Sequence, residues 1–230
     1  MAIPLRARLW KQTSIRKNFA ASLAAKVLSA ALNLACIPIY LQAVGGSGYG
    51  LIGVWATVAT FAMLLDLGLS PTMTRELARS VRDPEQAGES RDLVRTLEVF
   101  YWALGLAIGG VVILGASPIA TSWLRSGQLP LGEVRTAIML IGVLVACGWP
   151  LSFYSGGLIG LERQVLLSWV VFGFACVRNL GAVVILVFIS PSILSFFGWQ
   201  ILIEIAQTGT MAMLLWACLP PGEAPRIRPR

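Results

Sequence analysis

Six runs of about twenty mostly apolar residues leave this chain of 230 residues few places to fold. They are Asn18–Leu41, Tyr49–Leu69, Glu98–Ser117, Thr136–Ser155, Val165–Ile189 and Ile193–Ala217. In hydrocarbon every backbone N–H and C=O must be satisfied within the protein, so only helices and closed barrels span. A spanning strand needs only about 9–11 residues, and these runs are twice that. The expectation is an all-α membrane protein, a bundle of six transmembrane helices over residues 18–217. A basic segment, 1–17, precedes the bundle and a basic tail, 218–230, follows it. Pro38 and Pro150 lie inside spans and predict local kinks there.

Composition agrees. Hydrophobic residues make up 57% of the chain and charged residues 13%, against about 25% charged in soluble domains. Mean hydropathy is +0.76. These values argue against a soluble enzyme, a nucleic-acid reader or a disordered tail. The net charge of +7 is informative through its distribution. Arg6, Arg8, Lys11, Arg16 and Lys17 precede the first run, and Arg75, Arg79, Arg82, Arg91 and Arg95 separate the second from the third. Arg163 lies between the fourth and fifth, and Arg226, Arg228 and Arg230 end the chain. Fourteen of eighteen basic residues thus fall on one side, with Arg125 and Arg135 on the other. By the positive-inside rule both termini of this multi-pass chain are cytoplasmic. Trp102, Trp169 and Trp216 fit an interfacial belt at the cytoplasmic ends, and Tyr40, Tyr49 and Trp123 one at the external ends. Ile3–Lys17 reads either as an amphipathic surface helix or as a frayed tail.

The first run is too long for the 7–15-residue apolar stretch of a secretory signal, and reads as uncleaved. Cys36, Cys147, Cys176 and Cys218 have no metal-site spacing and read as small buried apolar residues. In the loop Ser70–Leu97, Ser70 suits an N-cap and Pro71 a first helical position. Met73, Leu77 and Val81 would share one face of that helix, which reads either as lying on the inner leaflet or as a solvated charged turn. Asp83-Pro84 ends it.

Ionisable groups inside a bilayer cost about 2.5–3.5 kcal/mol or more, so they face the interior and find partners. Arg178 lies thirteen residues before Pro191 and Glu204 thirteen after it, each about 20 Å from that turn at a 1.5 Å rise. Lys26, fifteen residues before Leu41, and Asp66, seventeen after Tyr49, match in depth within about 3 Å. Each hairpin therefore offers a cation and an anion, which either neutralise each other or line a polar cavity. Asn33, Asn179, Gln200 and Gln207 are the polar candidates for such a cavity. Depth says nothing of which way a side chain faces.

No motif of membrane enzymology accompanies these charges. Histidine is absent, and there is no paired-Asp metal site and no phosphate-binding Gly-rich loop, since GGSGYG at 45–50 reads as an external turn. The expectation is a protein with no catalytic residue, no metal and no cofactor. Three segments resemble the polysaccharide transporter family, the Wzx-type O-antigen and exopolysaccharide flippases of the MOP superfamily. Asn18, Pro38-Ile39-Tyr40 and Gly48-Tyr49-Gly50 resemble its first hairpin, DLGLSPTMTRELAR at 66–79 its second-span exit, and GLIGLERQ at 157–164 its fourth loop. The resemblance implies flipping of a polyprenyl-diphosphate-linked oligosaccharide across a bacterial inner (plasma) membrane for surface polysaccharide and lipopolysaccharide synthesis. Lys26 and Arg178 become candidate cavity cations for the diphosphate, and Asp66 is the residue of the Asp-x-Gly-Leu match. Glu204 is an ion-coupling candidate on depth alone.

Family members typically have two six-span lobes, and this chain resembles the first. A second six-helix half or a homodimer would complete it, with membrane lipids as its other partners and no nucleic acid. The alternatives are a non-transporting scaffold or truncated fragment in a polysaccharide-assembly complex and, fitting less well, a drug exporter.

Overall fold

A computed structural model describes residues 5–64, 66, 68–80, 87–122 and 129–219. The tail arginines Arg226, Arg228 and Arg230, the Asp83-Pro84 break, and Val81, Arg82, Trp123 and Arg125 lie outside the described residues, as do the side chains of the N-terminal basic segment. The described chain is helical, with no strand. Its elements are α1 (Leu5–Leu64), α2 (Leu69–Ser80), α3 (Ala87–Leu114), α4 (Ala116–Ser122), α5 (Leu131–Gly160), α6 (Gln164–Val184, continued by a π-turn over Ile185–Ile189) and α7 (Ile193–Cys218). Among these residues five helices are long and apolar enough to cross a membrane: Ala20–Ala62, Arg91–Leu114, Leu131–Gly160, Gln164–Ile189 and Ile193–Cys218.

The first of these contains a break. Gly45 has φ 70° and ψ 173°, a conformation open essentially to glycine, and two helices meet there. Unbroken, 43 residues would extend about 65 Å, twice the hydrocarbon thickness of about 30 Å. The two arms instead converge on α7. Tyr40 of the first packs edge-on against Phe196, and Trp55 of the second against Phe197, at centroid distances of 5.2 and 6.4 Å. Fifteen residues along a straight helix are about 22 Å apart, so consecutive phenylalanines meet both only because the chain turns. The expected external turn is therefore present but shrunk to one residue. Neither Pro38 nor Pro150 breaks its helix; the non-helical position inside α1 is Gly45.

The most enclosed helix is α5, which packs on α3, α2 and α7 through positions without side chains. In membranes helices associate by close contact rather than by the hydrophobic effect, so small residues mark their crossings. A Cβ on Gly109 would meet Gly142 O at 2.5 Å, and one on Gly105 would meet Ala146 O at 2.9 Å, so α3 lies directly on the α5 backbone. One turn from the other end, Gly156 and Gly160 face the carbonyls of Ser70 and Thr74, and Thr74 Oγ1 donates to Gly156 O at 2.9 Å. Gly148 leaves room for Glu204 of α7, and Thr208 Oγ1 donates to Cys147 O at 3.0 Å. These pairings run α3 antiparallel to α5 and set α2 at the C-terminal end of α5. Exposed Arg75, Arg79, Arg95 and Arg163 therefore share one end of the bundle, opposite exposed Arg135.

Three sequence expectations change at the second span. Its helix ends at Leu64 rather than residue 69, because Gly68 takes φ 83° and Asp66 falls in the intervening turn. The cap of α2 is Asp66, whose Oδ2 accepts from the Ser70 N–H at 3.3 Å, so Ser70 is not the cap. The apolar face of α2 does not rest on lipid: Met73 and Leu77 are fully buried, Leu77 against Gly157 and Gly160 of α5.

Candidate functional site

Polar side chains inside the bundle gather around two cavities. The central one, about 270 Å³, is bounded by the second arm of α1, α5, α6 and α7. Trp55, Asp66, Trp149, Ser152, Arg178 and Glu204 supply its chemistry. Arg178 Nη2 donates to Glu204 Oε2 at 2.5 Å and to Gln207 Oε1 at 2.9 Å. The expected pair on α6 and α7 therefore forms, with Glu204 buried and Arg178 about four-fifths buried. Trp199 holds the arginine from behind. Its Nε1 donates to Arg178 O at 3.1 Å, and its ring lies where a Cβ on Gly181 would be. Both contacts use only Nη2 and the backbone. Among the described residues the Nε–H and Nη1–H groups meet no acceptor, which leaves three of five guanidinium donors free.

Across the cavity Asp66 is held differently. Tyr101 Oη donates to its Oδ1 at 2.6 Å, and Ser70 Oγ lies 3.1 Å from the same phenol. With its proton committed to Asp66, the phenol oxygen accepts from Ser70. Asp66 thus sits at a helix start with two neutral donors, and no cation bonds to it among the described residues. The cavity carries two carboxylates against one guanidinium. Trp149, only 6% exposed, leaves its indole N–H without an acceptor.

The second cavity is a vestibule of about 520 Å³ between the first arm of α1, the end of α5 and the start of α6. Lys26 lines it together with Ser22, Ser29, Asn33, Ser155 and Ser168, and among the described residues no carboxylate lines it. Lys26 and Asp66 therefore do not pair despite their matched depths: the first arm faces α6 and the end of the second faces α3. Lys26 and Arg178 do not share a cavity either.

The remaining candidates divide. Gln207 is buried on Arg178. Asn33 lines the vestibule, and its Oδ1 accepts from Asn179 Nδ2 at 2.7 Å. Asn179 is buried and also accepts from Tyr40 Oη at 3.0 Å, so it ties the first arm to α6 rather than lining the central cavity. Gln200 is buried, lines neither cavity, and leaves its Oε1 without a partner. Of the cysteines only Cys36 is fully buried; Cys147, Cys176 and Cys218 are half-buried and all four are free thiols.

Sequence reasoning missed a third cluster, at the end that carries the exposed arginines. Glu98, an edge charge by sequence, accepts from Tyr154 Oη at 2.5 Å and from Trp216 Nε1 at 3.3 Å. Trp102 Nε1 donates to Tyr154 Oη at 3.1 Å, and the Arg91 guanidinium stands 5.9 Å from the Trp216 ring centre. Trp102 and Trp216 thus hold α3, α5 and α7 together, while Trp169 is exposed. The available signal was an acid between tryptophans whose N–H groups need acceptors once buried.

No protein-family model, curated protein or solved structure matches the chain.

Proposed function

We propose that this chain is one lobe of a transporter that flips a polyprenyl-diphosphate-linked oligosaccharide across the bacterial inner membrane for surface polysaccharide synthesis. The reading counts the two arms of α1 as separate spans, which gives six with the four other membrane-crossing helices. It takes the arginine-bearing end as cytoplasmic, so both termini face the cytoplasm. A second copy of the chain completes the pathway as the other lobe.

The observation that carries the reading is the vestibule. An ammonium with no carboxylate beside it among the described residues, near four serines, Asn33 and Gln164, is the chemistry a diphosphate headgroup selects. Arg178, with Glu204 against it, supports a role inside the cavity rather than as a diphosphate clamp.

The test is translocation of a fluorescent polyprenyl-diphosphate oligosaccharide in vesicles containing only this chain. The wild type moves the lipid to the opposite leaflet, and Lys26→Ala slows it about tenfold, the cost of one charge-assisted hydrogen bond of about 1.5 kcal/mol. Absence of translocation by the wild type overturns the reading and favours a scaffold. Exposed Arg75 and Arg79 on α2 would then be contact residues.

A further inference from the structure

We propose that the central cavity is a sugar subsite: it holds one hexopyranose ring of the substrate while the diphosphate stays at Lys26. This rests on the transport reading and assigns the second cavity a ligand class of its own.

Charge is the first argument. Asp66 and Glu204 outnumber Arg178, so a dianionic headgroup would enter against a net like charge at short range. A pyranose carries no charge, and each of its hydroxyls both donates and accepts. The carboxylate oxygens supply acceptors, and the unused Nε–H and Nη1–H of Arg178 supply donors.

Shape is the second. Trp55 lines the cavity from the second arm of α1, and an indole there suits the apolar C–H face of a pyranose. The volume of about 270 Å³ lies at the small end of ligand sites, near 300 Å³, and suits one ring rather than a chain.

Position is the third. Ser152 lines the cavity and Ser155 the vestibule, three residues apart on α5 and so separated by about 4.5 Å of rise. Asn33 of the vestibule bonds Asn179, the neighbour of Arg178. The two cavities are thus neighbours along α5, lined from adjoining turns of that helix.

The experiment is calorimetric binding to the full chain in lipid nanodiscs. The probes are polyprenyl diphosphate, bare or carrying one glucose, galactose or N-acetylglucosamine. At least one sugar carrier binds the wild type about tenfold more tightly than the bare lipid, the worth of one or two good hydrogen bonds. Trp55→Ala loses most of the increment and Trp55→Phe restores it, which a merely structural role for Trp55 would not predict in lipid-specific form. Lys26→Ala weakens all four probes equally. Equal binding of bare and sugar-bearing lipids by the wild type overturns the subsite and leaves the transport reading standing. Failure of the wild type to bind any of the four overturns both.

Discussion

The two hairpins with intramembrane charges look equivalent in sequence and are not. Arg178 and Glu204 meet at 2.5 Å, whereas Lys26 and Asp66 line different cavities. Depth along the membrane normal is one coordinate, and pairing requires the rotation of each helix as well. In the α6–α7 hairpin the turn at Ser190–Ser192 is short, the helices lie side by side, and the charges face inward together. In the first hairpin the break at Gly45 sends the two arms to different neighbours, Lys26 toward α6 and Asp66 to the Tyr101 phenol of α3. The lesson is that such a charge is best understood through what else is near enough to satisfy it. Asp66 found neutral donors and Lys26 a hydroxyl-lined vestibule.

Substitutions at the two hairpins should differ accordingly. Glu204→Ala strands a mostly buried guanidinium and should destabilise the protein by about 3–5 kcal/mol, read as reduced unfolding free energy in detergent. Adding Arg178→Ala to it should recover part of that loss; no recovery would mean the two do not act as a pair. Next in size comes the support behind the arginine. Gly181→Ala places a methyl inside the Trp199 ring and should cost about 1–3 kcal/mol. On the same helix Gly173→Ala meets nothing within 4 Å and should be silent in a thermal melt.

At the first hairpin, Asp66→Ala loses a cap and the Tyr101 bond, for about 1–2 kcal/mol. Lys26→Ala comes last. It breaks no ion pair, and its melting curve should stay within about 0.5 kcal/mol of wild type. A destabilised Lys26→Ala would show that the first hairpin pairs after all and erase the contrast.

How far the sequence carried the site follows from the physics of each signal. Long uncharged runs identify spanning helices because lipid tolerates little else, and the α3, α5, α6 and α7 boundaries agree with the apolar runs within a few residues, apart from the start of α3. The Arg178–Glu204 pair was legible because a tight turn fixes relative depth. Glu98 was passed over because an edge charge has a bland explanation in water. The glycines of α3 and α5 were passed over because small residues reveal their partner only when two helices are already placed.

The sequence by itself determined the solvent, the helical backbone and the clustering of arginines at one end, since each follows from transfer free energies that depend on composition and order alone. Tertiary structure decided the rest: that the first and second arms separate at one glycine, that α5 is the helix others pack on, and that one net cation and one net anion occupy separate cavities. Those outcomes depend on helix rotation and on close backbone contact. Both are set by three-dimensional packing among residues distant in the chain, and no local pattern encodes them.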